Sequence, residues 1–184
     1  MNGWSMSHEF KELKRELPSL APEDVDCYFT AFIEGEQGLS EGELRRSEHL
    51  LEKMRDEAPG NPGANACGPI YWAYRRCYKG TIIWLILYTA FIYQGMFFGV
   101  SIFTFLPVLA NGALFNYAYR MKAFKELKRA ISSGVVDRER IVAHMRHAGG
   151  TDSAAAYKAA LAWGLLFALG VALFVLFFPE RFFR

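Results

Sequence analysis

The sequence predicts an all-α integral membrane protein: three transmembrane helices with a small helical cytoplasmic N-terminal region. Three observations predict it. No residue from Gly80 to Tyr119 carries a charge, with Lys79 before the stretch and Arg120 after it. A second uncharged run extends from Ala159 to Pro179. Aromatic residues make up 16% of the 184-residue chain, and its 16 Phe cluster in the second half, where these runs lie. At about 1.5 Å per residue, about 40 helical residues reach roughly 60 Å, about twice the hydrocarbon thickness of a bilayer. The first run therefore reads as two crossings joined by a tight turn, and the second as one further crossing.

Taken in order, residues 1–60 form an acidic helical region. Met1 to Pro18 is charged and amphipathic, without the apolar core or cleavage site of a signal peptide. Ser7 is placed to cap a helix with Phe10, Leu13 and Leu17 on one face, which Pro18 stops. A second helix starts near Pro22, with Glu23, Asp24 and Asp26 complementing its dipole and Val25, Phe29, Phe32 and Ile33 as its apolar positions. Ser40 and Glu43 make the capping box of a third helix, which carries Leu44, Leu51 and Met54. Pro59, Gly60, Pro62 and Gly63 break it and form a linker. About sixty residues bury too little surface to be stable alone, so this region is expected to lean on something else.

Residues 61–79 combine that linker with an interfacial segment. In it Trp72, Tyr74, Arg75, Arg76 and Lys79 mix rings with cations, the composition that suits head-group depth and anionic lipid. Residues 80–119 form the transmembrane hairpin: a first crossing from about Gly80 to Phe98 and a second from about Val100 to Tyr119, kinked at Pro107. Gly95 and Gly99 match G-x-x-x-G, but their place near the bend marks a turn. Arg120 and Lys122 repeat the aromatic-plus-basic composition at the hairpin's other end. Residues 120–158 are a basic helical loop, with Phe124, Leu127 and Ile131 as one stripe, Asp137 capping a helix that ends at Gly149-Gly150, and Thr151 capping the last. Residues 159–179 form the third span, and 180–184 a short external tail.

Charge sets the orientation and narrows the function. Residues 1–60 hold 14 acidic and 7 basic residues, while 61–184 hold 14 basic and 5 acidic. The basic clusters flank the hairpin, which places both in the cytoplasm by the positive-inside tendency. The N-terminus is then cytoplasmic and the C-terminus external. Because the positive charge sits beside membrane spans, nucleic acid is not the expected partner. The three cysteines, Cys27, Cys67 and Cys77, lack metal-ligand spacing, and His144 with His147 is too small a ligand set, so no metal or cofactor is expected. No nucleophile, P-loop or dinucleotide motif appears, and no catalytic residue is assigned. The spans contain polar Gln94, Asn111 and Asn116 but no ionisable group, which argues against ion or proton coupling. Asn111 and Asn116 are expected to bond to a neighbouring helix.

One segment carries a likeness. The run Gly68-Pro-Ile-Tyr-Trp-Ala-Tyr-Arg-Arg-Cys-Tyr-Lys-Gly80 resembles the aromatic entry to the first span in small bacterial inner-membrane proteins grouped as domain-of-unknown-function family 2628. Trp72, Tyr74, Arg75 and Tyr78 match that motif; Arg76 stands where lysine is usual and Cys77 where methionine is. The earlier Phe32-Ile33-Glu34-Gly35 is similar to the family's F-I-G element with Glu34 inserted, and Phe115-Asn116-Tyr117 and Gly149-Gly150-Thr151 are similar to its later landmarks. The resemblance implies a small multi-span protein of the bacterial inner membrane with no established activity. The expected role is a non-enzymatic, membrane-anchored interaction or accessory protein. Its partners are membrane lipids and a protein bound through residues 1–60 or the spans, and it is able to form oligomers. The alternative is an oligomeric channel or small-solute transporter lined by Gln94, Asn111 and Asn116.

Overall fold

The computed structural model describes residues 7–36, 38, 41–56, 60–99, 106–134 and 137–182, without the side chains of 41–44, 46, 181 and 182. The Ser40–Glu43 capping box, Leu44, Pro59, Val100 and the tail beyond Phe182 lie outside the described residues. Every regular element among the described residues is a helix. The chain divides into two interleaved units, Met1–Pro59 with Leu114–Thr151, and Gly60–Ala113 with Asp152–Arg184.

Unit 1 is built from α1 (His8–Glu16), α2 (Pro22–Glu34), α3 (Glu41–Arg55), the later part of α7 (Leu106–Ser132) and α8 (Arg138–Ala148). Its caps follow local chemistry. Ser7 Oγ accepts from the Phe10 N–H at 3.2 Å, and Asp137 from the Glu139 N–H at 3.1 Å. The apolar stripe of α2 is fully buried: Val25, Phe29, Phe32 and Ile33. Phe29 meets Phe124 edge-on at 4.8 Å, and Phe32 meets Tyr119 at 5.2 Å. On α7, Phe115, Tyr119, Ala123 and Leu127 recur every four residues and are all buried, so this half of the helix is a core element. Burial, with Asp24 adding to it, raises the Tyr28 phenol above its usual range. The tightest crossing joins α2 to the end of α8. There the Gly150 N–H donates to the Phe32 carbonyl at 2.7 Å, and a methyl at Gly149 would overlap that same oxygen.

Unit 2 holds α4 (Pro62–Cys67), α5 (Pro69–Tyr74), α6 (Tyr78–Phe98), the first turns of α7, α9 (Ser153–Phe177) and α10 (Pro179–Phe182). Part of the expected linker is therefore helical: Asn61 Oδ1 accepts from the Ala64 N–H at 3.0 Å and opens α4. The cap of α9 is Asp152, bonded to the Ala155 N–H at 2.8 Å, in place of the expected Thr151. Glycines seat rings here. A Cβ at Gly80 would overlap Trp72, and one at Gly170 would overlap Tyr93.

Helices α6 and α9 lie side by side and run in the same direction. Going up α6, Tyr78 bonds Asp152 at 2.8 Å, and Tyr88 meets Trp163 at 5.8 Å. Tyr93 Oη then donates to the Leu166 carbonyl at 2.6 Å, and Phe97 packs on Phe174 and Phe178 at 5.7 Å. The numbers rise together on both helices, as in a parallel pair.

The expectation of three transmembrane helices is corrected to two. Among the described residues, only α6 and the run containing α9 are long and apolar enough to cross a membrane. The expected second crossing falls short because α7 opens at Leu106 among the described residues and meets Arg120 after about 14 residues, roughly 21 Å against a core of about 30 Å. Pro107 stands in its first turn, where a missing N–H is tolerated, and does not kink it.

Candidate membrane-entry site

The charged residues of unit 2 are few, and they sit at the ends of its long helices. Arg75, Arg76, Lys79, Asp152 and Lys158 lie where α6 and α9 begin; Glu180, Arg181 and Arg184 follow Pro179. Between them α6 and α9 carry no charge from Gly80 to Phe98 and from Ala159 to Phe177. Both uncharged lengths come to about 28 Å at 1.5 Å per residue, close to a hydrocarbon core. Their apolar side chains face outward: Ile82, Ile83, Ile86, Leu165 and Leu176 are each more than half exposed.

The entry turn is built around Trp72. Its ring lies over Gly80, and its Nε1–H donates to Asn111 Oδ1 at 2.5 Å. Asn111 Nδ2 donates in turn to the Ala64 carbonyl at 2.5 Å and to Tyr88 Oη at 3.2 Å. One buried amide thus ties α4, α5 and α6 to the start of α7. Helix α5 then closes with two backbone bonds, Arg76 N–H to the Ala73 carbonyl at 2.9 Å and Cys77 N–H to the Trp72 carbonyl at 2.8 Å. This is a Schellman turn, and its left-handed position is held by Arg76 at φ +56° where glycine is usual, a cost of about 1–2 kcal/mol. The Asp152 N–H donates to the Tyr74 carbonyl at 2.7 Å and Tyr78 Oη donates to the Asp152 carboxylate, so the starts of α6 and α9 are fastened together.

The residues singled out from the sequence separate. Trp72 is buried as a packing anchor, and Arg75 is 7% exposed, with Tyr71 and Tyr74 rings 6.0 and 5.6 Å away. Tyr74 and Arg76 are half-buried, and Lys79 is exposed. Arg120 and Lys122 belong to unit 1. There Arg120 is buried beside Glu9 at 3.6 Å and over the Phe124 ring, and Lys122 lies over Phe32. Gln94 is half-buried on α6. Asn111 and Asn116 are both buried, Asn111 in unit 2 and Asn116 in unit 1.

Sequence reasoning missed what the charge split does inside unit 1. Lys128 reaches Glu12 and Glu16 at 3.3 and 3.7 Å, Arg138 reaches Asp24 at 3.8 Å, and Arg146 reaches Glu34 at 3.9 Å. His147 Nδ1 is 2.8 Å from Glu36, and His144 lies 3.7 Å from Glu126. The acidic helices lean on the basic loop of the same chain. The opposite signs of the two segments were the available signal. No group of three His, Cys, Asp or Glu side chains that could hold a metal occurs among the described residues.

Compared with family models, curated proteins and solved structures, the chain matches none. The resemblance to family 2628 accordingly rests on its short motifs alone.

Proposed function

We propose that the chain is a non-enzymatic interaction or accessory protein anchored in the bacterial inner membrane, with its N-terminus in the cytoplasm. The observation that carries this is the outward-facing apolar band of α6 and α9. Core helices of a water-soluble protein of this length would be mostly buried, whereas 17% and 6% of the most apolar windows are. So much exposed apolar surface needs lipid or another apolar cover. The non-enzymatic part of the proposal rests on the sequence, which offers no clustered acid, base and nucleophile. The channel alternative is less well supported, because both N–H groups of Asn111 and its carbonyl oxygen already have partners within unit 2.

The partner surface we assign is the acidic N-terminal region, at α3. Its Glu48 and Asp56 are exposed and have no cation partner among the described residues, and Glu52 pairs only with His49 of the same helix. Replacing Glu48, Glu52 and Asp56 together by Lys is expected to release proteins that co-purify with the wild type in mild detergent, with helical circular dichroism unchanged. Retention of every partner would overturn the assignment.

Orientation has its own test. Exposed Cys67 is expected to resist an impermeant maleimide in intact cells and to react after permeabilisation. A cysteine placed at Glu180 is expected to react in intact cells. Labelling of Cys67 from outside would reverse the topology.

A further inference from the structure

Beside the crossing of α2 and α8, unit 1 carries an open cleft of about 750 Å³, a volume in the range of small-molecule sites. Cys27 reaches it from α2, and Arg138, Glu139, Val142 and Arg146 line it from α8. Arg138, Val142 and Arg146 follow at four-residue spacing, so they share one face of α8, with the two arginines about 12 Å apart along its axis. Both arginines are engaged, but at long range and near water. Arg138 lies 3.8 Å from Asp24 and Arg146 3.9 Å from Glu34, with the arginine side chains 62% and 51% exposed. A guanidinium has five N–H donors, so each keeps some for a further anion.

Cys27 stands at the Arg138 end of the cleft. Its sulfur is the largest influence holding the Arg138 guanidinium above its usual pKa range, ahead of Asp24. Tyr28 belongs to the same corner. It is 3% exposed, its hydroxyl has no hydrogen-bond partner among the described residues, and the charges acting on it are those of Asp24, Arg138 and Cys27. A buried hydroxyl without a partner carries a cost that a polar ligand in the cleft would relieve. Cys67 and Cys77 belong to unit 2 and do not line this cleft.

We propose that Cys27 is a site of S-thiolation by a disulfide of the glutathione class, with Arg138 and Arg146 taking the two carboxylates of the tripeptide. This does not depend on what covers α6 and α9. An extended tripeptide spans about 10 Å, close to the arginine spacing, and its ammonium group has exposed Glu139 to pair with. The thiolate is the nucleophile in such an exchange, and a neighbouring guanidinium stabilises a thiolate. The Cys27 sulfur attacks one sulfur of oxidised glutathione, forming the protein–glutathione S–S bond and breaking the original one. One glutathione leaves as a thiolate and takes up the proton that Cys27 released. Cys27 is oxidised and the departing glutathione reduced, so the disulfide is the whole of the oxidant.

The test uses full-length protein in mild detergent, treated with oxidised glutathione or with the uncharged bis(2-hydroxyethyl) disulfide, each cysteine being followed by peptide mass spectrometry. The ratio of the two rates, glutathione over the uncharged disulfide, is expected to be about tenfold higher at Cys27 than at exposed Cys67. Arg138→Gln combined with Arg146→Gln is expected to bring the Cys27 ratio down to that of Cys67. Arg138→Lys combined with Arg146→Lys, which keeps both charges, is expected to retain most of the difference. Arg140→Gln, on α8 but outside the cleft lining, is expected to leave it unchanged. The proposal is overturned by the absence of a glutathione adduct on Cys27, by equal ratios at Cys27 and Cys67, or by an undiminished ratio in the glutamine pair. A loss in the lysine pair or in Arg140→Gln as large as in the glutamine pair overturns it too.

Discussion

Gly149→Ala is expected to lower the stability of unit 1 by about 3 kcal/mol, a large share of what a unit of this size possesses. The new methyl would meet the Phe32 carbonyl oxygen and carbon, atoms of the backbone that no rotamer change can move away. Making room would also stretch the bond from the Gly150 N–H to that carbonyl, which anchors α8 to α2. Gly134 is the control. Its φ of +80° disfavours a side chain, but nothing lies within 4 Å, so Gly134→Ala should cost only about 1 kcal/mol. Hydrogen exchange of unit 1 amides would read both. Equal effects at the two positions would show that crowding at the α2–α8 crossing is not what fixes Gly149.

Asn111→Leu is expected to destabilise unit 2 by about 2–5 kcal/mol. Leucine is close in size, so the change removes hydrogen bonds with little change of volume. It strands the Trp72 indole N–H in a buried site, removes the amide that meets the Tyr88 hydroxyl, and leaves the Ala64 carbonyl with only the Gly68 N–H. The expected readout is a lower midpoint of thermal unfolding in detergent, followed by tryptophan fluorescence, because Trp72 and Trp84 lie beside the lost contact. The channel alternative expects something else: a well-folded variant with altered solute flux in liposomes. An unchanged midpoint with changed flux would favour that alternative over the anchor.

What the sequence made legible was mostly local. Ser7 and Asp137 announce their helices because a cap needs only a short polar side chain and the next few residues. The α2 stripe was equally plain, since Val25, Phe29, Phe32 and Ile33 repeat at helical spacing. Absence of charge marked α6 and α9 as the two helices long and apolar enough to cross a membrane among the described residues. The stretch 100–119 was harder. Its lack of charge looked the same as that of its neighbours, while Phe115 and Tyr119 were destined for a core in unit 1. Hydropathy records that a side chain avoids water and not what covers it. Arg120 and Lys122 posed the same ambiguity, since an interfacial cation and a cation stacked on Phe124 or Phe32 have similar sequence surroundings. The parallel course of α6 and α9, and the meeting of Asn111 with Trp72, depend on residues far apart in the chain, and no local pattern encodes them.

The interleaving of the two units has a consequence for synthesis. Met1–Pro59 emerges first but lacks the α7 and α8 surfaces that bury Phe29 and Phe32 until Leu114–Thr151 has followed. At about 5–20 residues per second, the intervening stretch delays that meeting by roughly 3–11 s. The same holds for α6, whose ring seats on Trp163, Gly170 and Phe174 are made only after α8. Nascent α6 therefore keeps one face unmatched until α9 follows, so unit 1 can close once Thr151 is made and unit 2 only after α9. Termination between Leu114 and Thr151 would leave both units incomplete, because each takes its last segment from beyond Ala113.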